Sequence, residues 1–98
     1  MNDIITVNIA KGYMRKDKTL DKILAGKSDR NIKFNDLRKL LLHYGFSERI
    51  RGDHYILSKE HIFEIINLQP LKDGNAKQYQ VKQVRNLFHK YKFHLMED

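Results

Sequence analysis

The chain has 98 residues, of which 41% are hydrophobic and 32% charged, and its formal net charge is +7. This length and composition fit one folded domain with a modest core, and they exclude both a two-domain protein and a disordered chain. The apolar runs are too short to span a bilayer, the first residues lack the pattern of a signal peptide, and there is no cysteine. We therefore expect a soluble cytoplasmic protein without disulfides or thiolate metal sites.

The positive charge is concentrated near the C-terminal end of the chain. Between residues 75 and 96 the sequence contains no Asp or Glu. Five basic residues fall in the same part: Lys77, Lys82, Arg85, Lys90 and Lys92. Such a block favours a polyanionic partner, which could be nucleic acid, an acidic protein or a membrane surface. Charge alone leaves open a basic surface that has no partner.

Residues 1–18 form an N-terminal extension in front of a domain that we place at residues 19–98. The sequence IITVNIA has strand-forming residues, and the polar residues after it favour a mobile arm. The extension is therefore either an extra strand or an arm, and Met14 is a second candidate for the start of the protein.

Two helices are predicted before the strands. Residues 19–26 are predicted to form a short helix with apolar residues along one side. Thr19 is its expected N-cap, and Gly26 is its expected end. Residues 34–46, FNDLRKLLLHYGF, give a clearer helical period with Asn35 as the expected cap and Gly45 just beyond the end. The apolar positions of this second helix are Leu37, Leu40, Leu41 and Tyr44.

After residue 46 the apolar period changes from helical to two, which is typical of strands. Residues 46–51, 54–57 and 62–69 are predicted strands of an antiparallel meander. Gly52 and Asp53 separate the first two strands, and a proline ends the third. Residues 79–91 then form an amphipathic helix with Val81, Val84, Phe88 and Tyr91 on one stripe.

These elements predict an α+β two-layer sandwich of order α-β-β-β-α with an additional short N-terminal helix. Both longer helices are expected to cover one face of the sheet. The third strand is apolar on both faces, with Ile62 and Ile66 on one and Phe63 and Ile65 on the other. The second face is therefore covered either by the N-terminal extension or by a partner.

His54 follows the Gly52–Asp53 break and starts a strand, so its position is fixed while its ring stays accessible. Histidine suits the proton transfers of RNA cleavage, and neighbouring cations suit the charge on phosphorus. Position alone favours an ordinary hairpin histidine over a catalytic one. Asp53 is expected to point to the opposite face of the strand. Arg51 and Lys59 flank the strand, where they either stabilise charge or protect a strand edge.

Two basic surfaces are candidates for contacts with a phosphate backbone. Lys82 and Arg85 share a stripe of helical spacing with His89 and Lys92, and a solvated helix face is the alternative interpretation. Arg49 and Arg51 offer a second path beside His54.

The order of elements, together with FNDLRKLLLHYGF, GDHYI and INLQP…YQVKQVRNLFHKY, resembles the HicA toxins of bacterial type II toxin–antitoxin systems over residues 19–93. The resemblance implies a double-stranded-RNA-binding-like fold and a metal-independent endoribonuclease, an mRNA interferase that inhibits translation and growth. It implies that His54 is catalytic and that Gly52 is the glycine preceding it. Asp53 stands where the family usually has serine.

The same resemblance implies two partners: single-stranded mRNA, and a cognate HicB-like antitoxin that covers His54 in a toxin–antitoxin hetero-oligomer. No cofactor and no metal are expected. A non-catalytic RNA-binding module of the same fold remains the alternative function, because it needs only the basic surface. A DNA-binding regulator is disfavoured, since a strand meander separates the apolar helices.

Overall fold

The computed structural model describes residues 18–96 of the chain. Its helices are α1 at residues 18–25, α2 at Phe34–His43 and α3 at Gln78–Tyr91. Its strands are β1 at Ser47–Arg51, β2 at His54–Ser58 and β3 at Ile66–Leu68. Single turns of 3-10 helix occupy Asp29–Asn31 and Phe93–Leu95. The predicted α+β class and order of elements are confirmed, whereas the expectations for residues 1–17 lie outside the described part of the chain.

Both predicted N-caps are wrong, because the helices begin earlier than the capping residues suggested. Lys18 is already helical, which places Thr19 inside α1. The cap of α2 is Lys33, whose carbonyl accepts the Leu37 N–H at 3.1 Å. The Phe34 N–H donates to Gly74 O at 3.0 Å. This tertiary bond satisfies one of the N–H groups that the first turn of a helix leaves without an intrahelical acceptor, and the Lys33 side chain makes no capping bond.

The end of α2 has the predicted geometry. Gly45 has a φ of +95°, a conformation that glycine adopts at little cost. Its N–H donates to Leu42 O, and the N–H of Phe46 donates to Leu41 O, both at 3.1 Å. This pair of bonds is the Schellman motif, which reverses the chain and returns the buried Phe46 to the core.

The sheet is antiparallel with strand order β1-β2-β3. Arg51 pairs with His54, so the hairpin loop consists of Gly52 and Asp53 alone. Gly52 has a φ of +64°, as the two-residue turns of tight hairpins require. The Leu57–Ile66 and Tyr55–Leu68 pairs fix the register of β3.

The third strand is shorter than predicted, because residues 62–65 do not join the sheet. Glu64 binds α3 instead: its carboxylate accepts from Lys90 Nζ at 2.7 Å and from the Tyr91 hydroxyl at 2.6 Å. The alternation of sides is nevertheless as predicted. Ile62 packs against the core, whereas Phe63 is 90% exposed and Ile65 is 62% exposed.

One apolar core lies between the helices and the inner face of the sheet. Phe88 of α3 is fully buried and makes edge-to-face contacts with Tyr44 and Phe93, at centroid distances of 5.2 and 5.4 Å. The core residues of the two longer helices and the strands are Phe34, Leu37, Leu40, Leu41, Val81, Val84, Leu87, Phe88, Leu57, Ile66 and Leu68. Both longer helices therefore cover the same face, as the sequence predicted. No helix within residues 18–96 has the length and apolar character needed to cross a membrane.

Candidate functional site

His54 is the first residue of β2, and its side chain is 49% exposed. It lies opposite Arg51 in the antiparallel pair, which places both side chains on the outer face of the sheet, away from the core. A Cβ added to Gly52 would meet no atom within 4 Å. The glycine is therefore needed for its positive φ and not for space around it.

A hydrogen-bonded group of polar side chains surrounds the imidazole. His54 Nδ1 lies 3.1 Å from Asn67 Oδ1. On the other side, Gln69 Nε2 donates to Asp53 Oδ2 at 2.8 Å, and Lys77 Nζ donates to Gln69 Oε1 at 2.9 Å. We call these five residues, His54, Asp53, Asn67, Gln69 and Lys77, the His54 cluster. It joins the hairpin turn, β3 and the start of α3.

Asp53 does not point away from His54, so this expectation is wrong. Its Oδ1 lies 3.8 Å from His54 Nε2. The alternation of sides applies to extended residues, and Asp53 belongs to the turn. The hydrogen bond from Gln69 lowers the pKa of the Asp53 carboxyl, and the charges of His54 and Lys77 act in the same direction. A carboxylate therefore stands beside the imidazole.

A shallow cleft of about 180 Å³ opens next to the imidazole. Its lining residues are His54, Asn67, Gln69, Tyr79 and Gln80. Tyr79 lies in the first turn of α3 and is 64% exposed, and that turn contains no acidic residue. The cleft is polar and open enough for a phosphodiester, and an exposed aromatic ring at its border is a surface on which a base can stack.

The outer face of the sheet continues from His54 towards β1. Arg49 and Arg51 are exposed there, and no hydrogen bond or ion pair joins either side chain to another of residues 18–96. A groove of about 330 Å³ beside them is lined by Ser47, Glu48, Arg49, Ile56, Ser58 and Ile65. This face combines the positive charge of the two arginines with the apolar side chains of Ile56 and Ile65.

Lys59 does not join the His54 cluster. It lies beyond the far end of β2, roughly 16 Å along the strand from His54 at the usual rise per residue. Its Nζ donates to Tyr44 O at 2.8 Å and lies 5.7 Å from the centre of the Phe93 ring. These contacts tie the end of α2 to the C-terminal turn and give Lys59 a structural role.

The predicted basic residues of α3 separate in the structure. Lys77 belongs to the His54 cluster, whereas Lys82 is exposed farther along the helix. Arg85 forms two hydrogen bonds with the Asp29 carboxylate, at 3.0 and 3.1 Å, and a third with Ile23 O at 2.9 Å. Its side chain is only 13% exposed, so it joins α3 to the segment after α1 and is poorly placed to bind a phosphate.

Four residues that line the cleft, Asn67, Gln69, Tyr79 and Gln80, were not predicted from the sequence. Gln80 offered a signal, because it precedes Val81 and stands one helical turn before Val84, at a position that periodicity assigns to the core. A polar residue at such a position needs hydrogen-bond partners. Gln80 is 3% exposed and has them: its Nε2 donates to Asn67 O at 3.0 Å, and its Oε1 accepts the Gln69 N–H at 3.2 Å.

Within residues 18–96, no three histidine, aspartate or glutamate side chains come together in a way that could hold a metal ion. Comparisons of the chain with protein-family models, with curated proteins and with solved structures found no match.

Proposed function

We propose that this protein is the toxin of a type II toxin–antitoxin system similar to HicA, an endoribonuclease that cleaves single-stranded mRNA in the cytoplasm without a metal. One observation carries the proposal. An exposed imidazole at the start of β2 is held in a polar cluster, with the guanidinium of Arg51 on the neighbouring strand and an open cleft beside it. This arrangement supplies a proton acceptor and a cation at one place.

RNA supplies its own nucleophile, so the protein needs only to move protons and neutralise charge. His54 takes the proton of the 2′-hydroxyl while the O2′–P bond forms. The P–O5′ bond then breaks, and the leaving 5′-oxygen takes a proton from water in the open cleft. Arg51 and Lys77 lower the energy of the negative charge on the phosphorane oxygens. The products are a 2′,3′-cyclic phosphate and a 5′-hydroxyl.

The finer description of the fold is part of the same proposal. The order α-β-β-β-α after a short first helix, with both longer helices on one face of an antiparallel sheet, supports a double-stranded-RNA-binding-like domain. In this fold the strand hairpin presents Gly52 and His54 at one end of the sheet. That is where the HicA resemblance expects the catalytic histidine.

We further propose that a HicB-like antitoxin neutralises the protein by covering His54 and the outer face of the sheet. Ile65 lines the groove beside Arg49 on this face, and Phe63, two residues earlier in the chain, is also exposed. An acidic partner gains fast association from the +7 net charge and apolar burial from the exposed side chains. The N-terminal extension is the competing cover, and deletion of the residues before Met14 tests it: the shortened protein should stay folded and still be inhibited.

The first experiment measures cleavage of a single-stranded RNA by the purified, antitoxin-free protein in the presence of a chelator. We expect products that end in a 2′,3′-cyclic phosphate. Complete inhibition by the chelator that an added divalent ion reverses would exclude this mechanism.

The second experiment compares His54→Ala with the wild type. Loss of a general base lowers the rate by about 10²-fold or more, whereas an exposed side chain contributes little to stability. His61→Asn is the matched control, because His61 is an exposed histidine in a turn with a φ of +71° that Asn tolerates. RNA that is bound but never cleaved by the wild type would instead favour the non-catalytic RNA-binding module.

A further inference from the structure

The two ring nitrogens of His54 face different groups. Nδ1 lies 3.1 Å from the side-chain oxygen of Asn67, and Nε2 lies 3.8 Å from the carboxylate of Asp53. An amide oxygen only accepts hydrogen bonds, so a hydrogen bond at this contact requires the proton on Nδ1. Neutral histidine with that bond has its lone pair on Nε2.

Asn67 is well fixed for this contact. It is the middle residue of β3 and pairs with Ile56 of β2. Gln80, which is buried in α3, holds the backbone on both sides of Leu68 through Asn67 O and the Gln69 N–H. The side-chain amide of Gln80 thus makes the two backbone hydrogen bonds that a neighbouring strand would make at the free edge of β3. These bonds fix the backbone of Asn67 relative to α3.

We propose that Asn67 is a positioning residue whose side-chain oxygen keeps the proton of neutral His54 on Nδ1 and so presents Nε2 as the proton acceptor for the RNA 2′-hydroxyl. The catalytic consequence rests on the proposed function, whereas the position of the proton is a property of the free protein. After proton transfer, both N–H groups of the imidazolium have acceptors. Nδ1–H still faces Asn67, and Nε2–H faces the Asp53 carboxylate.

The opposite orientation of the Asn67 amide makes a different prediction. Its NH₂ group would donate to Nδ1, the proton of neutral His54 would move to Nε2, and no lone pair would remain for the substrate. Protonation of His54 would then set an N–H against an NH₂ group. Orientation of this amide therefore decides whether His54 can act as a base at all, and experiment can read it directly.

The test is long-range ¹H–¹⁵N NMR on the full chain labelled with ¹⁵N-histidine, at a pH where His54 is neutral. The His54 signals are assigned by their loss in His54→Gln. We expect the wild type to carry the proton on Nδ1, Asn67→Leu to move it towards Nε2, and Asn67→Asp, which keeps an acceptor oxygen, to restore it. His61→Asn, the exposed control used above, removes a different imidazole and should leave the His54 tautomer unchanged.

Backbone amide shifts of β2 and β3 report whether each variant is folded. Wild-type His54 with its proton on Nε2, or a folded Asn67→Leu variant with an unchanged tautomer, would overturn the proposal even if the protein cleaves RNA. Conversely, an Nδ1–H tautomer in a protein without ribonuclease activity would support the positioning role of Asn67 and refute the proposed function.

If the protein cleaves RNA and Asn67 sets the tautomer of His54, the variants should differ in kcat and not in KM. Asn67→Leu should lower kcat by about 10²-fold, the cost of a misplaced catalytic group, with little change in KM, since the Asn67 oxygen faces the imidazole. Asn67→Asp should recover part of kcat. A change in KM alone would show that Asn67 contributes to RNA binding and not to positioning, and would overturn the proposal.

Discussion

Basic residues lie both on the helix side of the molecule, where the helices cover the sheet, and on the outer face of the sheet. They differ in whether a carboxylate pairs with them. On the helix side, Arg38 forms a two-bond ion pair with Glu48, and Arg85 forms another with Asp29. The hydrogen bonds to these carboxylates raise the pKa of both guanidinium groups. On the outer face, Arg49 and Arg51 have no such partner among residues 18–96.

This difference shows why a count of basic residues is a poor guide to a binding surface. A guanidinium that already holds a carboxylate has used its hydrogen bonds, and its charge is neutralised locally. A phosphate approaching Arg85 would have to displace Asp29, whereas one approaching Arg51 would displace only water. The net charge of +7 is therefore less informative than its distribution between the two regions.

The largest effect is expected from the outer face. Replacing Arg49 and Arg51 together by alanine should weaken binding of single-stranded RNA about thirtyfold, if each arginine contributes about 1 kcal/mol in water. The salt dependence of log K should flatten by about 0.7 for each phosphate that the variant no longer neutralises. Fluorescence anisotropy at several salt concentrations measures both quantities, with the inactive His54→Ala background preventing cleavage. An unchanged slope would place the RNA path elsewhere.

The helix side should respond in stability and not in RNA binding. Arg85→Met removes three hydrogen bonds, two of them to a carboxylate, and should lower the free energy of unfolding by about 2 kcal/mol. Lys82→Met, an exposed change on the same helix, should stay within about 0.5 kcal/mol of the wild type. Urea titration measures both variants. A flatter salt dependence of RNA binding in Arg85→Met would contradict the structural role assigned to this residue.

Much of the fold was predictable because periodicity and turn chemistry are local. The stripes of α2 and α3, the positive φ of Gly45 and the Gly52–Asp53 hairpin all follow from nearby residues. The errors came from tertiary contacts. Gly74 O accepts the first N–H of α2, and the bonds from α3 to Glu64 coincide with the shortening of β3.

The site was less predictable than the fold because tertiary contacts bring several of its residues together. His54, Gly52 and Arg51 are neighbours in one hairpin, so a sequence motif can group them. Asn67 and Gln69 reach His54 and Asp53 only after β3 pairs with β2. No spacing in the sequence connects these positions. Likewise, sequence cannot show that Lys59 and Arg85 already hold groups of the protein itself.

Asp53 tests whether the His54 end of the sheet meets a phosphate. Asp53→Asn keeps an oxygen that can accept from Gln69 but removes a negative charge close to the imidazole. The lost charge repels a phosphate through solvent, so we expect RNA binding to tighten modestly, with the gain shrinking at high salt. Asp53→Ser, the residue usual in HicA toxins, should behave alike. Weaker binding in both variants would indicate that Asp53 contacts the RNA favourably.

The smallest effect concerns acid stability on the helix side, where Glu64 binds Lys90 and Tyr91. These two hydrogen bonds lower the pKa of the Glu64 carboxyl from 4.5 to about 2, the bond from Lys90 being the larger cause. A carboxyl with a lowered pKa in the folded state stabilises the protein fully above its unfolded pKa, and that stabilisation disappears as the pH falls between 4.5 and about 2. Glu64→Gln removes the titrating group.

The difference in unfolding free energy between the wild type and Glu64→Gln should therefore shrink as the pH falls through this window, measured by urea titration at each pH. Glu60→Gln, an exposed change in the preceding turn, is the matched control. A difference that stays constant with pH would mean that the carboxylate does not hold residues 62–65 against α3.

RNA binding by the outer face is the complementary measurement. Because Arg49 and Arg51 do not contact Glu64, neither glutamine variant should change RNA binding near neutral pH. A loss of binding in Glu64→Gln would instead show that this tether positions Phe63 and Ile65 for the outer face, and the two regions would then be coupled through the segment between β2 and β3.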